Sequence, residues 1–145
     1  MIGSGRVSLT PTIRDFLVRL EDQLDQNPPA GLQREDVTIT TGDAAALVRL
    51  PHESDHARDV EIEIGDRRVV VAYPPERVVF TSPDEALRFV EMLCDGRVEL
   101  EIVRGFLWTT MRSYRDGQAI PFRRTRMPWP SFRPRTERRA VGFGR

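Results

Sequence analysis

Residues 60–71 read Val60-Glu61-Ile62-Glu63-Ile64-Gly65-Asp66-Arg67-Arg68-Val69-Val70-Val71. Apolar and charged side chains alternate with a period of two up to Gly65-Asp66, as in a half-buried strand that ends in a tight turn. Glycine in the first turn position suits a type II′ hairpin. With two loop residues the register follows: Ile62 opposite Val69, Val60 opposite Val71, and Glu63 opposite Arg68. One row is then wholly apolar and the other charged, and the Glu63–Arg68 pair contributes roughly 0.2–1 kcal/mol. An apolar row on an antiparallel hairpin must be covered by another layer, so the hairpin decides the fold class.

The covering elements are legible on either side of it. Thr10-Pro11 reads as an N-cap followed by proline at the first helical position. Ile13, Phe16, Leu17, Leu20 and Leu24 then recur at helical spacing, predicting an amphipathic helix from about 11 to 26 that stops at Asn27-Pro28-Pro29. Ser82-Pro83-Asp84-Glu85 carries a capping box, and Ala86, Leu87, Phe89, Val90, Leu93 and Cys94 form the apolar stripe behind it. Gly96 is the expected left-handed cap. Val37 to Thr40 and Ala45 to Leu50 read as short strands around Gly42-Asp43, and Val78-Val79-Phe80 extends the sheet.

A second hairpin follows the second helix. Val98, Leu100 and Ile102 alternate with Glu99 and Glu101, and Arg104-Gly105 is expected to turn the chain into Phe106 to Tyr114. Asp116-Gly117 leads to an edge strand over Gln118 to Phe122, placed at an edge by Pro121. The expected architecture is α+β. An antiparallel sheet of about five to seven strands carries two main helices, in the order helix, strands, helix, strands. An Arg/Pro/aromatic C-terminal extension with no helical or strand period follows. This divides the chain into a flexible N-terminus (1–10), an α+β domain (11–118) and a basic tail (119–145). Over residues 11–114 the order of elements resembles that of bacterial secretion chaperones and of some small toxin-immunity proteins, which implies a protein-binding role.

Charge is distributed unevenly. Residues 1–102 hold 20 acidic and 11 basic side chains, while residues 103–145 hold 11 arginines against Asp116 and Glu137 alone. Every basic residue in the chain is arginine, of which there are 22. Such asymmetry points to an interaction arm or to a chain that neutralises itself.

Two surfaces follow from this. The second hairpin sets Glu99, Glu101, Phe106, Trp108, Arg112 and Tyr114 on one face, where acidic and aromatic groups need a cover: another protein or the chain's own basic tail. The tail itself, with Arg123, Arg124, Arg126, Trp129, Arg133, Arg135, Arg138 and Arg139, combines guanidinium forks with aromatic rings and is a candidate nucleic-acid or ribosome-binding arm.

Catalytic and metal chemistry find little support. His52-Glu53-Ser54-Asp55-His56 has histidines four apart, but it begins at Pro51 and reads as a solvated loop. Cys94 sits on an apolar stripe at a helix C-terminus, the end that disfavours a thiolate. Gly142-Phe143-Gly144 reads as part of a flexible terminus. The expectation is a non-enzymatic binding protein without metal or cofactor. Met1 to Leu9 has no apolar core of a signal peptide and the chain has no apolar run of about 18 residues, so a cytoplasmic location away from membranes is expected.

Overall fold

The computed structural model describes residues 9–115 and 118–144; Met1 to Ser8, the Asp116-Gly117 turn and Arg145 lie outside them. The described residues form two helices and nine strands in two antiparallel sheets, an α+β arrangement. Helix α1 (Pro11–Gln26) starts at Thr10, whose side chain accepts from the Ile13 N–H at 3.4 Å. Five strands follow: β1 (Thr38–Thr41), β2 (Ala45–Leu50), β3 (Val60–Gly65), β4 (Val69–Tyr73) and β5 (Glu76–Phe80), each paired with its chain neighbour. Helix α2 (Pro83–Cys94) is capped by Ser82, which accepts from the Glu85 N–H at 3.3 Å. Each such cap is worth about 1 kcal/mol. Gly96 then takes φ 71°, a left-handed turn that a side chain resists. The second sheet runs β8-β7-β6-β9, built from β6 (Val98–Arg104), β7 (Thr109–Arg115), β8 (Arg123–Met127) and β9 (Arg135–Ala140).

The first hairpin keeps the expected faces but shifts its register. Its turn centres on Asp66-Arg67, closed by the Gly65 N–H donating to the Arg68 carbonyl at 2.9 Å. Ile62 therefore faces Val71, Ile64 faces Val69, and Glu63 faces Val70 instead of Arg68. The physical reason is the apolar row. The expected register would set Ile64 opposite Arg67, whereas the observed one lets Val60, Ile62, Ile64, Val69 and Val71 all bury. The second hairpin shifts similarly: Phe106-Leu107 form the turn, with the Gly105 N–H donating to the Trp108 carbonyl at 2.8 Å. This sets Ile102 opposite Met111, both buried.

The largest departure concerns the C-terminal segment. The edge strand expected at 118–122 is loop, and the strand begins at Arg123, just after the Phe122 N–H donates to the Ser113 carbonyl at 2.9 Å. Residues 123–127 and 135–140, read as an extension without period, pair with the outer edges of the β6–β7 hairpin. Arginine and threonine occupy both faces of β8 and β9, so no apolar alternation marks them. What makes them strands is the unpaired N–H and C=O groups on both edges of the hairpin. The single expected sheet thereby becomes two.

Gly142-Phe143-Gly144 is also part of the fold. Phe143 is fully buried, its N–H donates to the Leu93 carbonyl at 2.8 Å, and its ring stacks on His52 at 5.6 Å. His52 is accordingly buried, not solvated. Gly142, at φ 70°, passes so close to α2 that a Cβ would lie 2.6 Å from the Leu93 carbonyl oxygen.

One continuous apolar cluster joins both helices and both sheets. Within it the Tyr73 hydroxyl (β4) and the Ser113 hydroxyl (β7) bond at 2.9 Å, a polar tie between the sheets. Burial pushes the Tyr73 phenol up to about 12. Tyr73→Phe strands a buried serine hydroxyl and should lower stability by roughly 1–3 kcal/mol, and adding Ser113→Ala should recover part of that loss in urea denaturation. Because β8 and β9 are paired strands, limited trypsin digestion should cut after Arg123, Arg124, Arg126, Arg138 and Arg139 no faster than the whole fold opens. Early release of a fragment beyond residue 122 would contradict this pairing.

Candidate interaction surface

The outward face of the four-stranded sheet is organised in rows across its strands. One row reads Arg124, Arg112, Glu101, Arg138, from β8 to β9. Three cations and one carboxylate side by side would repel unless the carboxylate serves several of them. Glu101 does so. It accepts from Arg112 Nη1 at 3.0 Å and from the Tyr114 hydroxyl at 3.2 Å, and Arg138 Nε lies 3.4 Å from its second oxygen. The Arg138 guanidinium also lies over the Tyr114 ring, 4.7 Å from its centroid. The Arg112 hydrogen bond, with those of Tyr114 and the charge of Arg138 behind it, holds the Glu101 carboxyl below its ordinary value against the opposing effect of burial. Glu99, more exposed, has Arg138 at 4.0 Å.

The basic segment thus reaches the acidic, aromatic face from the side, as the next strand. Tyr114 and Glu101 are engaged within this network, so they offer a partner little free bonding capacity. Phe106, Leu107 and Trp108 are different. They stand at the tip of the β6–β7 hairpin with relative exposures of 70%, 63% and 46%. The β8–β9 connection lies against the same tip: Ser131 N–H donates to the Gly105 carbonyl at 3.1 Å, and the Thr109 hydroxyl to the Trp129 carbonyl at 2.8 Å. That connection carries Trp129, 43% exposed, and Phe132, wholly exposed. Two neighbouring loops therefore present five large apolar side chains at one end of the sheet.

The arginines differ in their partners. Arg104, Arg112, Arg123 and Arg138 each pair with a carboxylate. Arg123 turns away from the outward face to Glu76 and the Arg77 carbonyl, tying β8 to β5. Arg139 stands opposite Leu100 on the inward face. Arg124, Arg126, Arg133 and Arg135 are exposed and have no carboxylate within 4 Å among the described residues, and Arg126 lies over the Trp108 ring at 5.8 Å. These four flank the apolar loops.

The other motifs resolve into structural roles. His52 Nδ1 accepts from the backbone N–H groups of Ser54 and Asp55 at 3.2 and 3.1 Å, while His56 is exposed. Among the described residues no group of three or more His, Cys, Asp or Glu could hold a metal ion. Cys94 is buried, and burial, with Asp95 and Glu91 nearby, pushes its thiol up to about 12. No helix among the described residues is long and apolar enough to cross a membrane. Leu107 and Phe132 are surface residues that sequence reasoning passed over.

Comparison with protein-family models, with curated proteins and with solved structures finds no match to this chain.

A carboxyl whose folded pKa is depressed stabilises the fold above its unfolded pKa, and that stability is lost as pH falls through the folded value. Stability should therefore drop as pH falls below the ordinary glutamate value of about 4.3, and Glu101→Gln should flatten part of this acid limb while lowering stability at neutral pH. Urea midpoints on either side of that value, wild type against variant, check it; parallel curves would remove Glu101 as a contributor.

Proposed function

We propose that this chain is a non-enzymatic, cytoplasmic protein-interaction module of the chaperone or immunity kind. Its contact surface is the aromatic end of the four-stranded sheet, and its partner is a protein with an acidic, partly apolar patch. The observation that carries this reading is the grouping of Phe106, Leu107, Trp108, Trp129 and Phe132 on two loops that hydrogen-bond to each other. Exposed apolar patches of this kind mark binding sites, and aromatic and arginine side chains are those that most often carry interface energy. The flanking Arg124, Arg126, Arg133 and Arg135 supply a complementary charge for an acidic partner and steer its approach.

A second reading, binding of nucleic acid, draws on the same four arginines and on the Trp108 and Trp129 rings, which could stack on bases. Salt separates the two. Neutralising several phosphates makes affinity fall steeply with salt, whereas a contact centred on apolar rings depends on it weakly. For a partner isolated by cross-linking from the native cytoplasm, Trp108→Ala or Phe132→Ser should weaken binding at least about ten-fold, with a shallow salt slope. A steep salt slope, with Arg124→Gln and Arg126→Gln doing more damage than Trp108→Ala, would favour nucleic acid. Loss of neither kind would overturn both.

A further inference from the structure

A concave surface of a different kind lies away from the aromatic end, where β5, α2 and the start of β8 converge. It is a cleft of about 430 Å³. Its wall is aromatic: Phe80 and Phe89 stand 5.4 Å apart, Phe89 and Phe122 5.8 Å apart, and Met92 adds a flexible thioether beside them. Phe89 is supplied by α2, Phe80 by the last residue of β5, and Phe122 by the residue before β8. The wall therefore exists only once the two sheets are joined.

The rim is cationic. Arg88, Arg115 and Arg123 line it, with Glu85 as the one acid. Arg123 is committed to Glu76 and the Arg77 carbonyl. Arg88 and Arg115 have no carboxylate within 4 Å among the described residues, and Arg115 lies over the Phe122 ring at 5.5 Å. An apolar cavity of this size with a few convergent polar groups at its mouth has the build of a small-molecule site. Two guanidinium forks with no carboxylate partner among the described residues, set beside it, select a planar anion.

We propose that this cleft binds a small amphiphilic carboxylate, a compound with one carboxylate on an apolar chain or ring. The apolar body packs on the Phe80–Phe89–Phe122 wall, and the carboxylate meets the Arg88 and Arg115 guanidiniums at the mouth. A peptide adding to the free edge of β5 is the less fitting occupant, because the Arg77 carbonyl on that edge is already taken by Arg123. This proposal is independent of the aromatic end and of its partner.

The test is titration of the full chain with decanoate, followed by backbone amide NMR, with decanol and decyltrimethylammonium as uncharged and cationic controls. Saturable shifts confined to α2, residues 78–80 and residue 122 are expected. Decanol should bind about ten-fold or more weaker than decanoate, and Arg88→Gln should weaken decanoate by a similar factor. Arg88 is exposed, so this variant keeps the fold. Met92→Trp, which fills the cleft, should abolish the shifts. Absence of saturable shifts up to about 1 mM decanoate would overturn the proposal. So would equal binding of decanol and decanoate, or decanoate shifts unaffected by Arg88→Gln. Capture of an acidic peptide at the cleft without decanoate binding would overturn it as well.

Discussion

The carboxylate of Glu101 is where the two oppositely charged halves of this chain meet. Three donors from two strands converge on it: Arg112 and Tyr114 on β7, and Arg138 on β9. Without it the row across the four-stranded sheet would be Arg124, Arg112 and Arg138 with nothing between them. With it, β7, β6 and β9 are held together by charge as well as by their ladders. The position tolerates a carboxylate because its bonding capacity is nearly filled, which is the condition for keeping an ion on a half-buried face.

Docking β9 has consequences at a distance. The chain that leaves β9 continues into Val141, Gly142 and Phe143, all buried. The Gly142 carbonyl accepts from Arg58 Nε at 2.9 Å, and the Gly144 N–H donates to the Ala30 carbonyl at 2.9 Å. The C-terminal segment therefore closes over the end of α2 and the loop after α1. On the opposite edge, Arg123 and Thr125 of β8 both donate to Glu76 at the start of β5. Two small sheets are thereby joined around one core. The Phe80–Phe89–Phe122 cleft is the seam left where they join.

Once arginines are spent on Glu76, Glu99, Glu101 and Glu137, the sheet retains a cationic and aromatic end that nothing in the described chain covers. Zero net charge conceals this. The neutral total is reached partly by internal pairs and partly by an exposed excess of one sign around Phe106, Trp108, Trp129 and Phe132. An apolar patch of that kind persists on a folded surface most readily when a partner covers it.

Elements whose cause is local can be read from the order of residues alone. Thr10 and Ser82 cap the two helices, their apolar stripes bury as spaced, and the 60–64 and 98–102 alternations are strands with the expected faces. That order also marked Phe106, Trp108 and the arginine segment as surface chemistry needing an account. The hairpin registers were set by packing in three dimensions, because Ile64 had to choose between Arg67 and Val69 and the core made that choice. The assembled fold alone decided that residues 123–127 and 135–140 are strands. Their side chains carry no apolar period, and the force that orders them is the hydrogen-bonding demand of edges contributed by β6 and β7. For the same reason the burial of His52 under Phe143, and the cleft where Phe122 meets Phe80 and Phe89, lay beyond the reach of sequence: each needs residues distant along the chain, whose meeting follows from packing and not from spacing.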